Sequence, residues 1–90
     1  MSIRVRFFAY FREVFEAKEL EVPASAAPTL GSLLERLADT PRRRSELFAG
    51  AALKPHLILM INGAPPRAEP RDAVLRDGDV VSVFPLIGGG

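Results

Sequence analysis

Apolar and polar positions alternate with a period of two near both ends of this chain, and with a helical period in between. Ile3, Val5 and Phe7 alternate with Arg4, Arg6 and Phe8, which predicts a strand with one buried face. The aromatics at Phe11 and Phe15 stand four apart and predict a helical turn or two. Lys18–Val22 alternates again and stops at Pro23; it reads as the hairpin partner of the first strand, with Leu20 and Val22 inward. After a small-residue loop, Thr29 is a plausible N-cap for a helix whose Leu30, Leu33, Leu34 and Leu37 form one apolar stripe. Ser32, Glu35, Arg36 and Asp39 then face water, and Thr40-Pro41 is expected to end the helix.

The second half is more broken. Arg42-Arg43-Arg44 reads as a solvated loop or helix start, and Ser45–Phe48 as one further turn whose Leu47 or Phe48 plugs the core. Gly50–Pro55 is expected to be loop. Leu57–Ile61 is a continuous apolar strand running into Asn62-Gly63, a tight-turn signal. Ala64-Pro65-Pro66-Arg67 can supply no more than a short edge piece, because proline has no N–H to give a ladder. Asp77-Gly78-Asp79 lacks the further oxygen ligands of a calcium loop and reads as a turn. In the last strand Val81 and Val83 share one face, and Val80, Ser82 and Phe84 the other. Strands, one main helix and strands again make an α+β chain with a mixed sheet, the β-grasp pattern. That fold, rather than the periodicity, implies that the first and last strands pair in parallel at the centre. Residues 1–84 are expected to form this domain and residues 85–90 a tail.

Composition narrows the chemistry. Ninety residues suffice for one modest core. With 48% hydrophobic and 26% charged residues and a net charge of +1, no bulk field draws the chain to nucleic acid or to a membrane. There is no cysteine, so no disulfide, thiol nucleophile or thiolate metal site, and His56 stands alone. No apolar run approaches the roughly 20 residues of a membrane span, and the start lacks a signal-peptide layout. A cytoplasmic protein is expected.

Two features remain to carry function. If the alternating aliphatics pack under the helix, Phe8 and Phe84 must point the other way, beside Arg4, Arg6 and Ser82. They are then covered by loops of this chain or serve as anchors for a partner. The second feature is the ending, Gly88-Gly89-Gly90. From Pro85 onward the chain can extend about 20 Å, at roughly 3.3–3.6 Å per residue. Leu86 and Ile87 could grip a groove, while residues without Cβ could thread a narrow channel. A terminal carboxylate has a free pKa near 3.5 and is a poor electrophile unless another protein activates it.

Residues 7–13 (Phe-Phe-Ala-Tyr-Phe-Arg-Glu), the helix at Thr29/Leu30, Asn62-Gly63, residues 75–81 (Leu-Arg-Asp-Gly-Asp-Val-Val) and the ending together resemble the MoaD/ThiS family of ubiquitin-like sulfur carriers. The closest likeness within it is the small subunit of molybdopterin synthase. The resemblance implies a β-grasp carrier that is not itself an enzyme and binds no permanent cofactor. Its Gly90, next to Gly89, would be adenylated by a ubiquitin-activating-like adenylyltransferase (MoeB-like) using ATP and magnesium. A sulfur donor enzyme would then convert Gly90 to a thiocarboxylate, and the tail would enter a large synthase subunit (MoaE-like). Phe8 and Phe84 match the family's apolar partner contacts, Arg12 matches an arginine used against the activating enzyme, and Pro85, Leu86, Ile87 and Gly88 match the inserted tail. Leu86 stands where a second proline is common. The same ending also serves relatives that deliver sulfur for thiamine, cysteine or tRNA thiolation, and protein modifiers joined through Gly90 to a lysine.

Overall fold

The computed structural model describes residues 1–55, 57–67 and 69–85. His56, Ala68 and the tail residues Leu86, Ile87, Gly88, Gly89 and Gly90, with the expectations made for them, lie outside the described residues. Strand β1 (Ser2–Phe7) leads into a short helix α1 (Phe11–Val14) and then strand β2 (Glu19–Pro23). Helices α2 (Leu30–Leu37) and α3 (Pro41–Leu47) follow, then a small ribbon of β3 (Phe48–Ala49) and β4 (Ala52–Leu53). Strands β5 (Ile58–Ile61) and β6 (Val80–Phe84) complete the main sheet.

That sheet runs β2-β1-β6-β5. β1 and β6 pair in parallel at the centre, with Val5 opposite Val81 and Phe7 opposite Val83, and both outer pairs are antiparallel. Alternation decides the layers. Ile3, Val5, Phe7, Val81 and Val83 are fully buried against Leu30, Leu33 and Leu34 of α2, all likewise without exposed surface. Burying such side chains contributes about 1.5–3 kcal/mol each, which makes this layer the principal source of stability. Phe7 stacks on Phe15 with centroids 4.5 Å apart, and Phe15 meets Phe11 edge-on at 5.7 Å, so α1 closes one end of the core.

α2 starts as its sequence predicts. The Thr29 hydroxyl accepts from the Ser32 N–H at 3.1 Å, and the Thr29 N–H donates to the Ser32 hydroxyl at 3.0 Å, a reciprocal cap that satisfies two orphan donors. Buried Gly31 lets this helix approach the turn at Pro70–Asp72; a Cβ there would sit 2.8 Å from the Arg71 carbonyl oxygen. Asn62 and Gly63 both take positive φ, 52° and 84°, closing the turn by which Ile61 pairs with Ala64. Asp77 and Asp79 are turn acceptors. Asp77 takes the Ser2 N–H at 2.8 Å and Asp79 takes the Arg76 N–H at 2.9 Å.

Four expectations change. Thr40-Pro41 does not terminate a helix but opens one, since α2 already ends at Leu37. The extended backbone imposed on a residue before proline is also N-cap geometry, and proline at the first helical position has no N–H to waste. The Thr40 hydroxyl accordingly accepts from the Arg43 N–H at 3.1 Å. The arginine run is therefore helical, and Leu47 and Phe48 are both buried. The loop expected at Gly50–Pro55 contains a β-ribbon turning on Gly50 at φ 66°. The edge piece expected at Ala64–Arg67 reduces to the single bridge at Ala64, as two consecutive prolines forbid more. Leu20 pairs with Val5 on the inner side yet stays 36% exposed, because β2 is the sheet's edge.

Candidate functional site

The face of the sheet opposite α2 is the uncovered one. Phe8 and Phe84, placed there by sequence, meet in parallel with centroids 4.2 Å apart and planes 14° from each other. Both are half-buried, so they shield one another without joining the core. The Arg6 guanidinium lies 5.5 Å from the Phe8 centroid and that of Arg12 lies 5.8 Å from it. Such a stack contributes about 0.5–1.5 kcal/mol beyond its area, and each exposed cation about 0.5–1 kcal/mol.

Local backbone explains how Arg12 arrives. Ala9 takes the left-handed region at φ 53°, turning the chain sharply out of β1 into α1. Arg12 Nε then reaches back and donates to the Phe7 carbonyl at 3.0 Å. Arg12 thus ties α1 to the end of β1 and presents its plane beside the aromatic pair, while staying exposed.

Pairing extends the apolar patch beyond what sequence reading identified. Ile58 lies opposite Phe84 and is 41% exposed, and Met60 lies opposite Ser82. A signal for both was present: Leu57–Ile61 is apolar without interruption, so its outward positions had to be apolar too. The other half of the face is charged. Arg4 stands 3.3 Å from Glu19 and 3.8 Å from Glu21, and Arg6 stands 3.8 Å from Glu19. The open face therefore divides into an ionic ladder over β1 and β2 and an apolar strip over β5 and β6.

Pro85 follows Phe84 directly and is buried, so the chain leaves the sheet from an anchored point at the edge of the apolar strip. Pro85 also borders a groove with Tyr10, Phe11, Glu46, Lys54 and Leu57. In it the Tyr10 hydroxyl donates to Glu46 Oε1 at 2.9 Å. Desolvation, then that hydrogen bond and the Glu46 charge, raise the Tyr10 phenol above its ordinary value. Among the described residues no group of three or more His, Cys, Asp or Glu could hold a metal ion, and no helix is long and apolar enough to cross a membrane. What the described site offers is a recognition surface at the root of a glycine-ended segment.

Comparison with known proteins agrees with this geometry. The family model described as the ThiS family matches residues 5–90. Small archaeal modifier protein 3 of Haloferax volcanii is 35% identical over 92 residues, covering 100% of both chains. The crystal structure of SAMP1 from Haloferax volcanii superposes with a TM-score of 0.83 at 26% identity, again across 100% of each chain. A Pyrococcus furiosus protein described as a candidate molybdopterin converting factor, subunit 1, superposes with a TM-score of 0.69 at 26% identity, covering 97% of this chain and 99% of its own. With its β-grasp sheet, its open aromatic face and a match running through residue 90, the chain belongs to the ThiS family of ubiquitin-like sulfur carriers.

Proposed function

We propose that this chain carries sulfur as a thiocarboxylate on Gly90 and delivers it as the small subunit of a molybdopterin synthase. The observation that carries the reading is the stacked Phe8–Phe84 pair, open to a partner at the point where Pro85 releases the glycine-ended segment. The likeness to the Pyrococcus furiosus protein supports the molybdopterin assignment within the family.

The chemistry is divided between partners. An activating enzyme, holding ATP and magnesium, joins the Gly90 carboxylate to AMP and releases pyrophosphate. A sulfur nucleophile then displaces AMP at the unhindered glycine carbonyl, leaving the thiocarboxylate. This chain supplies the terminus and the docking face: Phe8, Phe84, Ile58 and the Arg12 guanidinium orient it on each enzyme in turn. Leu86, Ile87, Gly88 and Gly89 carry Gly90 into the partner's active site.

Intact mass after incubation with ATP, a sulfur donor and the host's activating enzyme tests the proposal. The expected gain is the difference between one sulfur and one oxygen, absent when Gly90 is deleted. An unchanged mass, with the enzyme demonstrably active on another carrier, would reject sulfur carriage. Transfer of that sulfur to a pterin precursor by a large synthase subunit tests the finer assignment.

The 35% identity to a small archaeal modifier protein favours a second reading, in which the same activated Gly90 is joined to lysines of other proteins. Covalent adducts of higher mass in host extract, dependent on Gly90, are its expected signature. Both fates begin from one acyl adenylate, and a single chain can follow each.

A further inference from the structure

The main sheet has two outer edges, and they are not equivalent. On β5 the outward N–H of Ile61 donates to the Ala64 carbonyl at 2.8 Å, which leaves a single outward donor in that strand, at Leu59. On β2 no turn intervenes. The Phe7 N–H donates to the Lys18 carbonyl at 2.9 Å and the Ala24 N–H to the Met1 carbonyl at 3.2 Å. Hydrogen-bonded positions alternate along an antiparallel pair, so Leu20 and Val22 spend their backbone groups on Val5 and Ile3. Glu19 and Glu21 therefore turn theirs outward, and Arg4, opposite Glu21, donates instead to the Asp79 carbonyl at 3.0 Å. Beside this open edge, on the helix side, lies a groove of about 210 Å³ between β2 and α2. Phe15, Leu20, Val22 and Leu37 line it, with Arg36 at its rim, and Leu20 is 36% exposed.

We propose that the β2 edge receives an extended segment of another protein, one that alternates apolar residues and carries carboxylates, as a further strand of the sheet. Main-chain bonds to Glu19 and Glu21 hold the segment, and its alternate apolar side chains enter the groove beside Leu20. Charge selects the occupant. Arg43 is already engaged by Glu16 at 3.1 Å, Asp39 at 2.9 Å and the Val14 carbonyl at 3.0 Å. Arg36 makes no ion pair among the described residues and is available to a carboxylate of the segment. The Glu19 and Glu21 side chains lie on the opposite face, held by Arg4 and Arg6, and do not oppose that carboxylate. A second copy of β2 is the wrong occupant, because its glutamates would stand across from Glu19 and Glu21, and like charges across a ladder are destabilising. β2 and the Phe8–Phe84 strip lie towards opposite edges of the sheet, so a chain held at β2 keeps its docking face and glycine-ended segment free for the activating enzyme.

The test titrates the acetylated, amidated peptide Thr-Val-Thr-Val-Asp-Asp into the isotope-labelled full chain at low salt, followed by amide NMR. Saturable binding with a Kd at or below about 1 mM is expected, with shifts centred on residues 18–22 and slowed hydrogen exchange at the Glu19 and Glu21 amides. Arg36→Glu, at an exposed position, should weaken binding by about tenfold or more with the remaining spectrum unchanged, whereas Phe84→Lys should leave binding intact. N-methylation of one alternate set of peptide amides should abolish binding and that of the other set should not, since one set alone faces β2. Absence of saturation, shifts centred on Phe8 and Phe84 or on the Pro85 groove, or equal loss from both methylated sets overturns the proposal. Equal binding of Thr-Val-Thr-Val-Lys-Lys overturns it as well. None of these outcomes bears on whether Gly90 carries sulfur.

Discussion

The two faces of one sheet use the same strands for opposite purposes. In β1 and β6 the inward positions Ile3, Val5, Phe7, Val81 and Val83 have no exposed surface, whereas Arg4, Arg6, Ser82 and Phe84 between them remain partly or largely accessible. Over β1 and β6 the inner face is filled by α2, while Leu20 at the β2 edge stays 36% exposed on that side. The outer face carries a stacked aromatic pair, exposed Ile58 and an arginine–glutamate ladder, and no helix of the described fold covers it. Stability and recognition are thereby separated by a single residue of register, so substitutions one position apart should fail in different ways.

The largest effect belongs to the inner face. Phe7→Ala removes a fully buried ring stacked on Phe15 and should cost about 3–5 kcal/mol in denaturant unfolding, enough to threaten a domain of this size. Phe84→Lys should lower unfolding stability by only about 1 kcal/mol, the lost stack on Phe8, and weaken docking to the activating enzyme by about 2 kcal/mol, roughly 30-fold, in a binding titration. Were Phe84→Lys to unfold the domain instead, the separation of faces would be wrong. Gly31→Ala sharpens the inner side. Helix propensity alone would favour alanine by about 1 kcal/mol, but the new Cβ meets the Arg71 carbonyl at 2.8 Å, and overpacking costs about 1–3 kcal/mol. A net loss of stability is expected; a gain would show that the Pro70–Asp72 turn yields freely.

The smallest effect lies at the margin between the regions, beside Pro85. The Tyr10 phenol should titrate above its ordinary value of 10.0 in near-ultraviolet absorbance, and Glu46→Gln should lower the midpoint without returning it fully, because desolvation persists. A phenol whose pKa is raised by folding favours the folded state below the unfolded value, and that contribution fades as pH climbs through the folded one. The effect is therefore confined to strongly alkaline solution, and an Glu46→Gln midpoint equal to or above the native one would remove Glu46 as a cause.

Much of the site was legible before the fold. Phe8 and Phe84 could be placed outward because strand alternation leaves no other choice once their neighbours are buried. Arg12 was legible only through family likeness; its contact with the Phe7 carbonyl depends on the left-handed turn at Ala9, which a non-glycine residue does not advertise. Ile58 and Met60 were hidden in an unbroken apolar run, which reads equally as a strand buried on both sides. Lys54 and Glu46 reach one groove through the β3–β4 ribbon, where the Lys54 N–H donates to the Leu47 carbonyl at 3.0 Å, a pairing hidden in a segment that reads as loop.

By itself, then, the amino-acid order determined the local facts: alternation in β1 and β6, the leucine stripe and threonine cap of α2, the Asn62-Gly63 turn and the glycine-ended segment. These depend on periodicity and backbone preference, which act over a few residues. Which strand lies at the edge, whether Thr40-Pro41 stops a helix or starts one, and what Pro85 packs beside were decided by tertiary structure. Those outcomes depend on which surfaces are left uncovered after the chain closes, and solvent exposure of that kind is a property of the assembled layers rather than of any segment.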